Sequence, residues 1–343
     1  MRNVFRVLST IATKEVIFTR TNLTRQNFHQ YHQILFLNNV RHLSVAEPRN
    51  LAKPMIKMTQ VATPSDYQQP TINPNNGTDN TTTTNTKDSK IYIHTGNIAN
   101  WTNVKSRRSN EMPTNELYQS LCRTITKHGS QQLGGWNEEE IRINCTNTEK
   151  IDSVERGLLK VTAKIFLQKL DTKSMVNSVN STLKQLGLHS IDSLYLALPP
   201  FAENQPFAET ILPLWEEMER FRDAGLATQI STCDLDHEKL KTLVEMVKIR
   251  PEVNQVNLTS CCHMPEDLVQ YAKEIGIVLH THGDQAVMLP DENVEALINV
   301  LKPDDDRTFS TDWIVRYAVV VKCRGVIKSK GYIAAIDALT NTE

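Results

Sequence analysis

The stretch Ile191-Asp192-Ser193-Leu194-Tyr195-Leu196-Ala197-Leu198, closed by Pro199-Pro200, decides the fold. A short apolar run ended by prolines has the composition of a strand covered on both faces, as in a parallel sheet or barrel. Four further runs share that grammar: LKVTAKIFL at 159–167, ATQIST at 227–232, VNQVNL at 253–258 and IVLHT at 277–281. Helical periods lie between them. Met175, Val176, Val179, Leu183 and Leu186 form one apolar stripe, and Ile211, Leu214, Trp215, Met218 and Phe221 form a second that Gly225 closes. A third, Leu240, Leu243, Val244 and Val247, follows Asp234 or Asp236 as its cap. With KIYIH at 90–94, IRIN at 141–144 and GVIK at 325–328 the strand count reaches eight. Residues 90–343 then have the length of a (β/α)8 barrel, typically about 250 residues.

The residues ahead of that domain read differently. Up to Ala46, Arg2, Arg6, Lys14, Arg20, Arg25 and Arg41 stand against the single acid Glu15. We divide the chain into a basic extension at 1–58, a Thr/Asn/Gln/Pro-rich linker at 59–89 with almost nothing to bury, and the domain at 90–343. The extension has the character of a mitochondrial presequence, or of an upstream region ahead of Met55 or Met58 that leaves a cytoplasmic product. Lys+Arg number 38 and Asp+Glu 39, so a net charge of -1 leaves no footprint for nucleic acid or an anionic membrane. No apolar run reaches the roughly 18 residues of a membrane span. The six cysteines show no framework spacing, and reduced thiols are expected.

Val161-Thr162-Ala163-Lys164 and the strand from Asp192 to Pro199 resemble the aldo-keto reductase family, and the order of elements agrees. The resemblance implies a barrel of that type. In the family's pattern the lysine of the first string, here Lys164, lowers the pKa of a catalytic tyrosine, and the second string carries a histidine where this chain has Ala197. Nothing between residues 95 and 160 resembles the family's tyrosine string; Tyr118, the one tyrosine there, lies in the helical pattern of Leu117, Leu121 and Ile125. A tuned acid contributes about 10² to 10⁴-fold to such chemistry, so a set lacking both groups implies a pseudoenzyme. The nicotinamide positions are eroded in the same way. Cys233-Asp234 replaces a Ser-Asn pair and His282 the stacking tyrosine, while Gln255 persists; in the phosphate-binding string Lys328 and Ser329 persist, but Ala334 or Ala335 stands where an arginine is expected. No cofactor is expected.

Three longer strings resemble a noncatalytic branch of the family, whose members bind and regulate a larger catalytic subunit. They are His94-Thr95-Gly96-Asn97 with Asn100-Trp101, the run from Asn254 to Cys262, and the run from Val321 to Tyr332. The alternative is an NADPH-dependent carbonyl reductase with a degenerate active site. Candidate partner contacts are the basic run Lys322, Arg324, Lys328 and Lys330, with Cys262 as a possible cross-linking thiol. Cys261, Cys262 and His263 follow one strand and His280 and His282 share a face of the next, but the spacing fits no zinc pattern, so no metal is expected. Asp304, Asp305 and Asp306 read as a helix-capping loop.

Overall fold

The computed structural model describes residues 88–101, 112–129, 139–145, 150–202, 204–259, 263–301 and 307–340. Its elements are β1 (Ser89–His94), α1 (Pro113–Thr124), β2 (Glu140–Asn144), β3 (Leu159–Leu167), α2 (Thr172–Leu186), β4 (Ile191–Ala197), α3 (Phe207–Asp223), β5 (Ala227–Cys233), α4 (His237–Met246), β6 (Val253–Asn257), α5 (Glu266–Ile275), β7 (Val278–His282), α6 (Asp291–Leu301), β8 (Thr308–Val321) and β9 (Val326–Leu339). The expectations for residues 1–87, for Cys261 and Cys262 and for Asp304 to Asp306 lie outside the described residues.

The expected alternation of strand and helix is present, and five of the strands run parallel in the order β3-β4-β5-β6-β7. The C-terminal part departs from a simple eight-strand count. GVIK is not an isolated strand: Gly325 sits in a tight turn at φ 63°, and the residues around it form a long antiparallel hairpin of β8 and β9. That hairpin inserts between β3 and β1, giving nine strands in the order β2-β1-β9-β8-β3-β4-β5-β6-β7. The reason lies in where the hairpin's charges go. Asp312, fully buried, accepts from Lys90 Nζ at 2.5 Å and from Ser174 Oγ at 2.6 Å, while Arg316 pairs with Asp284. A strand carrying one fully buried and one partly buried charge is tolerated here because each has a partner waiting.

Each face of the sheet buries its own apolar cluster. Alternate residues Val161, Ala163 and Ile165 of β3 pack with the stripes of α2, α3 and α4. Phe166 and the opposite face of β1, β8 and β9 pack with Leu117 and Leu121 of α1 and with Val294, Leu297 and Ile298 of α6. Caps follow the sequence grammar. Asp171 accepts from Ser174 N at 3.1 Å to start α2, Gly187 at φ 64° ends it, and Asp236 caps α4 through Lys239 N at 2.8 Å. Of the two aspartates offered as that cap, Asp236 serves and Asp234 is used elsewhere. In α3, Glu219 accepts from Lys248 N at 2.8 Å and Ile249 N at 2.7 Å, and Trp215 Nε1 donates to Ile249 O at 2.8 Å, so one helix holds the turn into β6.

Glycine is required at one crossing. Gly331 of β9 passes so close to β1 that any Cβ there would overlap the Gly96 carbonyl and the Tyr317 hydroxyl, which are joined by a 2.9 Å hydrogen bond. Beside them His94, on β1, is 2 % exposed, with Nε2 3.3 Å from the Tyr317 hydroxyl and no partner for Nδ1 among the described residues. Burial pushes its pKa down to about 4.

Candidate functional site

The C-terminal ends of β3 to β7 converge on Lys164. Strand alternation turns Lys164 and Phe166 to the same face, where Phe166's ring lies 5.1 Å from the ammonium. Lys164 Nζ donates to Asp284 Oδ2 at 2.8 Å and to Gln255 Oε1 at 3.0 Å, and lies 3.4 Å from His282 Nδ1. Asp284 also receives Arg316 of β8 in a two-pronged pair, Nη2 to Oδ2 at 2.8 Å and Nη1 to Oδ1. Burial alone would raise the Asp284 carboxyl, but Arg316, then the His282 hydrogen bond and Lys164, outweigh it and hold the group far below the usual carboxylate range. The Asp284–Arg316 attraction likewise overcomes burial and raises the Arg316 pKa. The result is a closed ion triad, 3 % to 4 % exposed at Asp284 and Lys164.

Asp234 explains the second half of the constellation. It is the one non-glycine residue among those described with a positive φ, 58°, and its carboxylate accepts from Asn257 N at 2.8 Å and meets His282 Nε2 at 2.9 Å. Aspartate tolerates this left-handed geometry better than most residues, and these bonds hold it there. Asn257 Nδ2 in turn donates to Asp284 O at 2.5 Å. The side chains at the ends of β3, β5, β6 and β7 are thus tied to one another.

That closure limits the chemistry. Ala197 lines the remaining cleft with Phe166, Leu198, Asp234, His282 and Asp284, and the cavity is about 20 Å³. It has room for roughly one water, against the 300 Å³ or more of a small-molecule site. The tyrosines facing this side are not poised as acids. Burial pushes Tyr195, beside Lys164 in the β3–β4 register, up to about 12, and Tyr332, which donates to Glu116 Oε1 at 2.6 Å, well above its ordinary value. Tyr118 sits on α1 against the other wall of that cluster. Cys233, its thiol raised to about 12 by burial, lies 3.6 Å from Gln255 Oε1 and is no nucleophile.

The nicotinamide positions Cys233, Asp234, Gln255 and His282 come together around Lys164, while the phosphate-string residues lie apart from them. Gln255 lies level with Cys233 at the C-terminal end of the parallel strands, whereas Ser329 lies level, through Val319, with Val161 near the start of β3. Ser329 is buried and Lys328 is ion-paired with Glu155. The cleft of about 20 Å³ beside the nicotinamide positions has no room for a nicotinamide ring.

The fold also divides the basic run. Lys330 pairs with Glu116 at 2.5 Å and Lys328 with Glu155, while Lys322 Nζ donates to Gly157 O at 3.2 Å. Arg324, at the exposed hairpin tip, makes no ion pair among the described residues. No cluster of three metal-ligating side chains occurs among the described residues, and His282 is committed to Asp234 and Lys164. Asp284 and Arg316 were not singled out from sequence; the signal available was an arginine interrupting the apolar run Trp313 to Val321.

Comparison with known proteins agrees with this picture at the family level. The Aldo/keto reductase family pattern matches residues 135–284. The chain is 34% identical over 254 residues to the glutamate–cysteine ligase regulatory subunit of Homo sapiens, spanning 71% of this chain and 91% of that one. It is 34% identical over 252 residues to the regulatory subunit of Rattus norvegicus, spanning 71% and 92%. Among solved structures, an aldo-keto reductase of Bombyx mori in complex with NADP is 24% identical, with a TM-score of 0.31 and coverage of 49% of this chain and 48% of that one.

Proposed function

We propose, for a chain that belongs to the glutamate–cysteine ligase regulatory subunits of the aldo/keto reductase family, that it acts without catalysis of its own by binding the glutamate–cysteine ligase catalytic subunit as a heterodimer. The observation that carries this reading is likeness over 91% of the human regulatory subunit. The closed triad supports it: Lys164 is committed to Asp284, and Ala197 offers no hydrogen bond to a carbonyl. In this role the chain improves glutamate affinity and relieves feedback inhibition by glutathione in the first step of glutathione synthesis. Both effects follow if the chain binds more tightly to the substrate-competent state of its partner and shifts that population. A coupling of about 1–3 kcal/mol is typical.

The reading assigns the complex to the cytoplasm, where Cys122, Cys145, Cys233 and Cys323 stay as free thiols. Fractionation of the full chain separates this from import into mitochondria, which the basic residues ahead of Ala46 would direct. Among the described residues no helix is long and apolar enough to cross a membrane.

Adding the purified chain to the catalytic subunit should lower the apparent KM for glutamate and raise the glutathione concentration needed for half inhibition. No NADPH oxidation is expected over a panel of aldehydes. Unchanged glutamate kinetics at saturating chain would reject the regulatory reading. Aldehyde turnover abolished by Lys164→Met would establish the carbonyl reductase instead.

A further inference from the structure

Away from the cleft, four of the eleven exposed large apolar side chains among the described residues lie on two neighbouring segments, the others being scattered singly. Val154 and Leu158, the most exposed large apolar residues described, at 84% and 64%, lie in the turn before β3, and Val326 and Ile327, at 56% and 48%, begin β9. The hairpin brings the two segments together. Lys322 N donates to Leu158 O at 2.9 Å, Lys322 Nζ to Gly157 O at 3.2 Å, and Lys328 pairs with Glu155. The tip is therefore held rather than loose, and a pre-ordered surface loses less freedom on binding.

Its charge is on balance cationic. Lys160, Lys322 and Arg324 are exposed on these segments against the exposed Asp152, while Glu155 is occupied by Lys328, and Asp192 by Arg156 at 2.8 Å with Lys322 at 4.0 Å. The chain as a whole carries -1, so the cationic excess is local. An apolar centre with a cationic rim fits a protein face that is apolar at its middle and acidic at its edge.

Position adds a second argument. The tip lies beside Leu159, at the start of β3, whereas Lys164, Ala197 and Asp284 gather toward the C-terminal ends of the parallel strands. Enzymes of barrel type work at that C-terminal end. A surface at the opposite end can engage a partner with no call on the closed triad.

Resting on the regulatory reading above, we infer that the β8–β9 hairpin tip and the 152–158 turn form the surface that docks an acidic, apolar-centred face of the catalytic subunit. Val154, Leu158, Val326 and Ile327 supply the apolar contact, and Lys160, Lys322 and Arg324 steer the approach.

The test measures the dissociation constant of the full chain from the catalytic subunit for wild type, Ile327→Asp, Ile327→Thr and Arg324→Glu, with Val300→Ser on α6 as an exposed apolar control. Ile327→Asp and Arg324→Glu should each weaken binding by about tenfold or more, Ile327→Thr by less, and Val300→Ser not at all, with melting temperatures unchanged. Arg324→Glu should also flatten the salt dependence of the association rate. Saturating amounts of each variant should still shift the glutamate KM, because the tip supplies affinity. If wild type binds and shifts the kinetics while Ile327→Asp and Arg324→Glu bind equally well, the tip assignment is overturned and the regulatory reading stands. If wild type does not bind the catalytic subunit, the regulatory reading fails and takes the tip with it. A wild-type self-dimer that Ile327→Asp renders monomeric makes a second copy the occupant and overturns the assignment to the catalytic subunit.

Discussion

Asp284→Ala should cost about 3 kcal/mol of folding stability, because it leaves the buried Lys164 and the partly buried Arg316 without their shared counter-ion. Replacing all three together, as Lys164→Met with Asp284→Leu and Arg316→Met, should recover most of that loss, since an apolar set of similar volume has no charge to desolvate. The comparison separates the triad's net worth from the penalty of breaking it. The pH dependence has a defined sign. A carboxyl held far below its ordinary value contributes stability that is fully present above about pH 4, its unfolded range, and is lost as pH falls below that. Denaturant unfolding of the single and triple variants measures all of this. A loss under 1 kcal/mol for Asp284→Ala would show that the triad is solvated rather than closed.

Wild-type stability should also fall between about pH 6.5 and pH 4, through a different group. His94 has its pKa lowered by burial to about 4, so the unfolded chain takes up this proton first. Stability from this site is fully present above pH 6.5 and is lost as pH descends toward 4, by about 3 kcal/mol at about 1.36 kcal/mol per unit. His94→Gln retains an amide near the Tyr317 hydroxyl and removes the titration. Melting temperatures from pH 7.5 to 4 should therefore slope downward for wild type and less steeply for His94→Gln, the remaining slope including His280, whose pKa burial also lowers. Parallel slopes would place the acid sensitivity elsewhere.

The parallel part of the fold was legible in the sequence because β3, β4 and β5 are mostly buried and all five strands carry few charges. LKVTAKIFL coincides with β3, and the stripes of α2 and α3 are buried at every position but the partly buried Val176. Strand β8 was missed because Asp312 and Arg316 interrupt its apolar run, and their partners Lys90, Ser174 and Asp284 lie far away in the chain. Local patterning cannot signal a charge neutralised from that distance.

The same limit shaped the reading of the site. Lys164 and Gln255 were singled out, and they do meet, at 3.0 Å. Lys328 and Ser329 were grouped with Gln255 by resemblance, but the long hairpin carries them toward the start of β3. A run that looks uniformly basic, Lys322 to Lys330, becomes three intrachain ion pairs, one of whose lysines also donates to a backbone carbonyl, and one exposed arginine. Sequence shows which charges exist. The fold decides which of them remain available.

Linkage gives the most direct test of regulation by a bound partner. A chain that tightens glutamate binding to the catalytic subunit must itself be bound more tightly, by the same factor, when glutamate is present. Titrating the chain into the catalytic subunit with and without saturating glutamate should therefore give dissociation constants that differ by about 5-fold or more, matched by the change in the glutamate dissociation constant between free and complexed enzyme. Identical dissociation constants with and without glutamate would contradict the account.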